Sequence, residues 1–152
     1  MKKINLLTLI IILTIPFACR YKEGPDISFR SVKSRLFGNW KVIGFTSDGI
    51  DSLQYYNDSC GCIMHIPKLS DEQDMSFLGS KHNGLYNASG TFSFSNNKKK
   101  MIVTYKGTSN HFGPIGMIDS VWEILKLTKD EFKILTNVNN RDYLISFKKT
   151  SS

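Results

Sequence analysis

Apolar residues recur at every second position over much of the chain. Tyr86, Ala88, Gly90, Phe92 and Phe94 share one face against Asn87, Ser89, Thr91 and Ser93 on the other. Met101, Val103 and Tyr105 alternate with Ile102 and Thr104, and Tyr143, Ile145 and Phe147 with Leu144, Ser146 and Lys148. A period of two belongs to strands with one buried face. The same pattern predicts eight strands, at residues 39–46, 60–66, 75–79, 85–94, 101–106, 120–127, 132–136 and 143–148. Turn residues punctuate them: Asp48-Gly49, Asn83-Gly84, Asn96-Asn97, Lys129-Asp130 and Asn139-Asn140. Before them, Ile27, Phe29, Val32, Leu36 and Phe37 are spaced as in a short amphipathic helix or helical turn. Eight short antiparallel strands leave two exposed edges unless the sheet closes on itself. The expected fold is therefore all-β, an eight-stranded antiparallel up-and-down β-barrel with a short N-terminal helical turn.

The N-terminus follows a different pattern. Met1-Lys2-Lys3 is basic, and residues 4–15 are apolar apart from Asn5, Thr8 and Thr14. Pro16-Phe17-Ala18-Cys19 then places a small residue before a cysteine. This is the order of a secretory signal. About 20 apolar residues are needed to span the hydrocarbon, more than precede the charged Arg20. Residues 1–18 are read as a lipoprotein signal peptide, 19–30 as a tether with a Gly24-Pro25 break, and 31–150 as the barrel domain. Removing residues 1–18 from the 152 leaves 134, the size of one single-core domain. The net charge of +7 falls to +5 without Lys2 and Lys3.

Two resemblances sharpen these expectations. Ala18-Cys19 resembles a bacterial lipobox, with Pro16 where an aliphatic residue is usual. The resemblance implies that Cys19 is acylated, palmitate being among the expected chains, and anchors the protein stably in a membrane. Arg20 rather than Asp after the cysteine resembles lipoproteins sorted to the outer membrane, on its periplasmic or its surface face. Further along, Leu36-Phe37-Gly38-Asn39-Trp40-Lys41 puts a Gly-x-Trp at the junction of a helical turn and the first strand. With eight strands behind it, this resembles the first motif of the lipocalins and wider calycins. The small lipocalin-like domains of outer-membrane lipoproteins also carry a Trp-x-Ile-x-x-Leu strand, here Trp122 to Leu127. Gly38 and Trp40 are the barrel-motif residues that the resemblance implies. Lipocalins usually cover that tryptophan with an arginine near the end of the last strand. Here Arg141 stands at the start of that strand, with Lys148 and Lys149 at its end, and a Thr-Asp-Tyr-like middle turn is absent.

An eight-stranded barrel is just wide enough to fill with side chains or to hold one small ligand. Phe92, Phe94, Tyr105, Phe132, Tyr143 and Phe147 are inward candidates large enough to fill it, and the sequence leaves both outcomes open. The connector 107–119 is long and glycine-rich yet carries Phe112, Ile115, Met117 and Ile118. Such a loop is either a lid folding over the mouth or a wide hairpin on the exterior. Candidate ligand-binding residues are Phe92, Phe94, Tyr105, Phe112, Met117, Tyr143 and Phe147.

Cys60-Gly61-Cys62 remains once Cys19 is assigned to lipid. An oxidising compartment favours a disulfide. In an extended strand their Cα atoms would lie about 6.5–7 Å apart, at the edge of what a disulfide tolerates, and Gly61 allows the bend that relieves this. A zinc site with His65 is the rival, but His65 would face the opposite side of such a strand, and His82 and His111 lie in separate turns. No metal or cofactor is expected. Asp71, Glu72 and Asp74 read as a solvated connector, short of the ligands a calcium loop needs.

No Gly-x-Ser-x-Gly, His-Glu-x-x-His or nucleotide-binding glycine pattern occurs. No catalytic residue and no enzyme activity are expected, and export argues against nucleic acid despite the pI of 9.3. Lys98-Lys99-Lys100 reads as a charged hairpin end or as a contact for anionic headgroups. The leading reading is a lipid-anchored, lipocalin-like envelope protein binding a small apolar or amphipathic ligand. The alternative is a filled barrel whose loops dock another envelope protein or glycan machinery.

Overall fold

The computed structural model describes residues 21–23, 31–68, 73–81, 84–95, 97–106 and 119–150. Two short helices and nine strands follow in order: α1 (Val32–Leu36), β1 (Gly38–Ser47), β2 (Ile50–Asp51), α2 (Leu53–Ser59), β3 (Ile63–Ile66), β4 (Asp74–Lys81), β5 (Gly84–Phe94), β6 (Lys100–Lys106), β7 (Ser120–Leu127), β8 (Glu131–Val138) and β9 (Arg141–Thr150). Every strand from β3 to β9 pairs antiparallel with its successor, and β1 pairs with both β3 and β9. The sheet is thus a closed eight-stranded up-and-down barrel, with β2 a two-residue addition to the end of β1.

The period-two pattern does most of this work, and two slips in it are equally informative. Trp40, Val42 and Phe45 are all buried, spaced by two and then three, and the β1–β9 register shifts between Val42 and Gly44. Trp122, Ile124 and Leu127 show the same spacing, with a shift between Ile124 and Lys126. One extra residue in each strand is a β-bulge. It returns the next apolar side chain to the interior and increases local twist, which a closing sheet needs.

Three expectations require correction. The second predicted strand, at 60–66, begins at Ile63 rather than Cys60, because residues 53–59 form α2 and Cys60 is its C-cap. The apolar spacing of Leu53 and Tyr56 was too short to read as a helix. The N-terminal helix is confined, among the described residues, to Val32–Leu36. Within the stretch read as a tether, Tyr21 is buried at 3% exposure, and Glu23 N donates to Leu125 O at 2.8 Å.

The barrel has two unlike ends. The connections β3–β4, β5–β6 and β7–β8, with α1, gather at one end, which is closed. The connections β1–β3, β4–β5, β6–β7 and β8–β9 gather at the other, the mouth. At the closed end the Ser31 side chain caps α1 by accepting from Ser34 N at 3.1 Å. The helix ends by handing its last carbonyls to side chains. Trp40 Nε1 donates to Leu36 O at 2.7 Å, and Lys149 Nζ donates to Arg35 O at 2.9 Å. Carbonyls left orphaned at a helix C-terminus are thereby satisfied. Gly38, at φ +118°, allows the turn between α1 and β1, with the Lys149 stem against its open side.

Candidate functional site: the barrel mouth

The interior is filled from the closed end upward. Phe147 stacks on Phe132 with ring centres 5.3 Å apart and lies 6.3 Å from Trp122. Trp40 meets Phe132 edge-on at 5.9 Å. Met64, Ile66, Met75, Met101, Val103, Leu127 and Ile134 complete a fully buried layer. Arg35 is also buried there. Its Nη1 donates to Leu127 O at 2.6 Å, and its guanidinium lies 5.6 Å from the Tyr21 ring. Lys149 sits over the Trp40 ring with Nζ 4.6 Å from its centre. A lysine thus covers Trp40, and Arg141 is at the opposite end, on the rim of the mouth.

Toward the mouth the lining changes to hydroxyl-bearing side chains. Tyr56 projects from α2 and stacks on Phe45 at 5.4 Å, and Phe45 in turn lies 5.7 Å from Tyr143. Tyr56 is clamped at both ends: its hydroxyl donates to Cys62 O at 3.1 Å, and its carbonyl accepts from Cys60 N and Gly61 N. Burial pushes its hydroxyl up to about 12, partly offset by the Cys62 backbone. Tyr105 packs against Phe77 at 5.9 Å. Burial, with smaller contributions from Tyr56 and Asp119, holds its hydroxyl far above the ordinary tyrosine range. Ser120 accepts from Trp122 Nε1 at 2.9 Å. Thr136 is 2% exposed, and its Oγ1 has no hydrogen-bond partner among the described residues.

Cys60 and Cys62 anchor the lid-like α2. Gly61 adopts φ +56°, a left-handed turn that draws their Cα atoms to 5.1 Å and pairs their sulfurs. The pair packs so tightly on β4 that a Cβ at Gly79 would lie 2.7 Å from Cys62 Sγ. His65 is elsewhere, on the outer wall, bonded through Nδ1 to Asn39 Oδ1 at 2.6 Å. Among the described residues no three His, Cys, Asp or Glu side chains gather as a metal site.

At the rim lies a pocket of about 440 Å³, lined by Phe45, Ser47, Asp48, Ile50, Ser52, Tyr55, Arg141 and Tyr143. Ile50 and Tyr55 are 70% and 65% exposed beside it. Asp48 and Asp142 brace its far wall: Asp48 N donates to Asp142 O, and Asp142 N to Asp48 Oδ1. A second groove, of about 550 Å³, runs along the outer wall over Ile102, Val121 and Leu135.

Of the residues singled out by sequence, Tyr143 lines the rim pocket, and Tyr105 is half-buried in the mouth half. Phe92 and Phe94 meet edge-on at 5.7 Å, and Phe147 lies in the ring stack, so these three serve packing. Phe112, Met117 and Cys19 lie outside the described residues. Sequence reasoning missed Phe45, Tyr55, Tyr56 and Arg141. The apolar spacing slip in β1 was the available signal for Phe45; α2 left none.

Among solved structures, a redesigned beta barrel is similar at a TM-score of 0.50 and 17% identity, covering 82% of this chain and 100% of that one. The odorant-binding protein OBP1 is similar at a TM-score of 0.52 and 13% identity, covering 84% of this chain and 77% of that one. The fold is lipocalin-like. Comparison with protein-family models and with curated proteins returns no match.

Proposed function

We propose that this lipocalin-like chain is a non-catalytic, lipid-anchored envelope protein whose barrel mouth binds one small amphipathic ligand. The observation that carries the reading is the rim pocket, where Phe45, Tyr143 and Tyr55 supply aromatic walls and Arg141 supplies a guanidinium at the edge. A few polar groups at fixed places around apolar walls are what orient a ligand in such sites. An apolar body on the rings with an anionic or strongly polar head at Arg141 fits that distribution. The likeness to an odorant-binding protein is consistent with this use of the fold. The lipid anchor rests on the Ala18-Cys19 motif, and the outer membrane on Arg20.

The test is saturable binding of an environment-sensitive anionic apolar dye to the purified protein. One site per chain with micromolar affinity, about −8 kcal/mol, is expected. Tyr55→Ala and Arg141→Ala should each weaken it about tenfold, roughly 1.4 kcal/mol. Phe112→Ser and Met117→Ser should weaken it as well if the 107–119 connector closes over the dye, since burial of each side chain contributes about 1.5–3 kcal/mol. Absence of saturable binding, together with loss of an envelope partner on substituting Ile50 and Tyr55, would instead favour the docking module. The exposure of those two side chains is the observation behind that second reading.

A further inference from the structure

We infer that the closed end of the barrel rests on an anionic phospholipid surface, so that the mouth faces away from the membrane. The inference rests on the lipid-anchor reading of Cys19 and adds an orientation and a headgroup chemistry to it. Three observations carry it.

The first is the length of the leash. Tyr21 is buried against Arg35, and its hydroxyl donates to Lys98 O at 3.2 Å. Lys22 pairs with Glu123 at 3.4 Å, and the Glu23 carboxylate accepts from Lys133 at 2.7 Å. Cys19 is two residues from Tyr21, so chain connectivity keeps its Cα within about 7 Å of the Tyr21 Cα. Acyl chains on Cys19 cannot enter a bilayer unless the closed end lies close to the surface.

The second is which side chains that end presents. Lys98, Lys99 and Lys100 form the β5–β6 turn beside Tyr21, Lys129 occupies the β7–β8 turn, and Lys33 stands on α1; all five are exposed. The acids nearby are largely engaged: Glu23 by Lys133, and Glu131 by Lys126. Among the described residues the other acids at this end are Asp74 and Asp130, against five exposed lysines.

The third is contrast with the mouth. Five acids, Asp48, Asp51, Asp58, Asp119 and Asp142, belong to elements at that end, against three cations, Lys81, Lys106 and Arg141. Among the described residues the charge distribution is therefore polarised along the barrel axis, basic toward the anchor and acidic away from it. A basic juxtamembrane cluster gains from anionic headgroups additively per lysine, and the gain fades within a Debye length. An acidic mouth is repelled by the same surface.

The experiment reconstitutes the full lipidated protein in vesicles of phosphatidylcholine alone or with one-quarter phosphatidylglycerol. Energy transfer to a labelled lipid headgroup is read from a dye at Lys33→Cys or at Gln54→Cys. The closed-end dye should transfer much more strongly than the mouth dye in phosphatidylglycerol vesicles. The difference should shrink in pure phosphatidylcholine, at 0.5 M salt, and in the Lys98→Glu/Lys99→Glu chain. Equal transfer from the two positions, or stronger transfer from Gln54→Cys, overturns the inference. If the chain proves not to be lipidated, the anchor reading fails on its own. The lysine face is then tested by sedimentation of the unlipidated chain. Salt-sensitive binding to phosphatidylglycerol vesicles that falls about tenfold in Lys98→Glu/Lys99→Glu, but not in Arg141→Glu, supports it. No binding, or an equal loss in both, contradicts it. Thermal melting of each variant separates these outcomes from misfolding.

Discussion

The closed end and the mouth of this barrel are built from the same strands but solve different problems. At the closed end, apolar rings fill the bore, and the polar ends of Trp40, Lys149 and Arg35 are each committed to a backbone carbonyl. At the mouth, hydroxyls replace aliphatic groups, a short helix stands across the opening, and Ile50, Tyr55 and Arg141 face solvent around a pocket. A polar atom satisfied internally fixes the structure and is not offered to a ligand. Apolar and charged groups left at a rim contribute little to folding and can contribute to binding. On the proposed reading, stability resides at one end and recognition at the other.

The sharpest way to break that contrast is truncation. Trp40→Ala removes a fully buried ring and leaves Leu36 O without its donor, at an expected cost of about 3–5 kcal/mol in urea unfolding. Tyr55→Ala should change stability by less than about 0.5 kcal/mol. Comparable losses at both positions would show that the mouth is as structural as the closed end.

The next effect is pH-dependent and belongs to Tyr56. Its hydroxyl is raised from 10.0 to about 12 in the folded chain, so the folded form holds its proton where the unfolded form releases it. The stability linked to this group is fully present below pH 10.0 and is lost as pH rises through about 12. The loss should reach about 2–3 kcal/mol. Tyr56→Phe should flatten that part of the curve, with a separate cost of about 1 kcal/mol for the bond to Cys62 O.

Two glycines, one packed on the Cys60–Cys62 pair and one in the open β1–β2 turn, should differ in the same sense. Gly79→Ala forces a Cβ against Cys62 Sγ and within 3.1 Å of Cys60 O, with an expected cost of about 1–3 kcal/mol in unfolding free energy. Gly49→Ala meets nothing within 4 Å, and only its φ of +82° opposes it, so about 1 kcal/mol is expected. The smallest effect is at Lys149. Lys149→Met keeps the stem over Gly38 but removes the charge from the Trp40 face and the donor from Arg35 O, and thermal melting should register about 1–2 kcal/mol.

Much of the barrel was legible because period-two alternation is a direct image of a wall with one buried face. The strands at 101–106 and 120–127 match within a residue, and Asp48-Gly49 and Asn139-Asn140 mark tight turns with positive φ at Asp48, Asn139 and Asn140. α2 was not legible. Its seven residues bury Tyr56 alone, too little for a helical period, and its Cys60 C-cap resembles a strand start when Cys60-Gly61-Cys62 is followed by Ile63-Met64. The site was less visible still. Phe45, Tyr55, Tyr143 and Arg141 come together from β1, α2 and β9, and only closure of the sheet through the β1–β9 pairing makes them neighbours. The role of Lys149 was hidden for a related reason: nothing local distinguishes it from Lys148, and the strand's pleat alone turns it toward Trp40.

The division between the two ends is tested most directly by residue-resolved amide chemical-shift mapping during titration with an anionic apolar dye. Saturable shifts confined to residues 45–56 and 141–143 are expected, with Trp40, Phe132 and Phe147 unmoved. Shifts centred on that ring stack would place the ligand in the closed half, and the assignment of packing to one end and recognition to the other would be wrong.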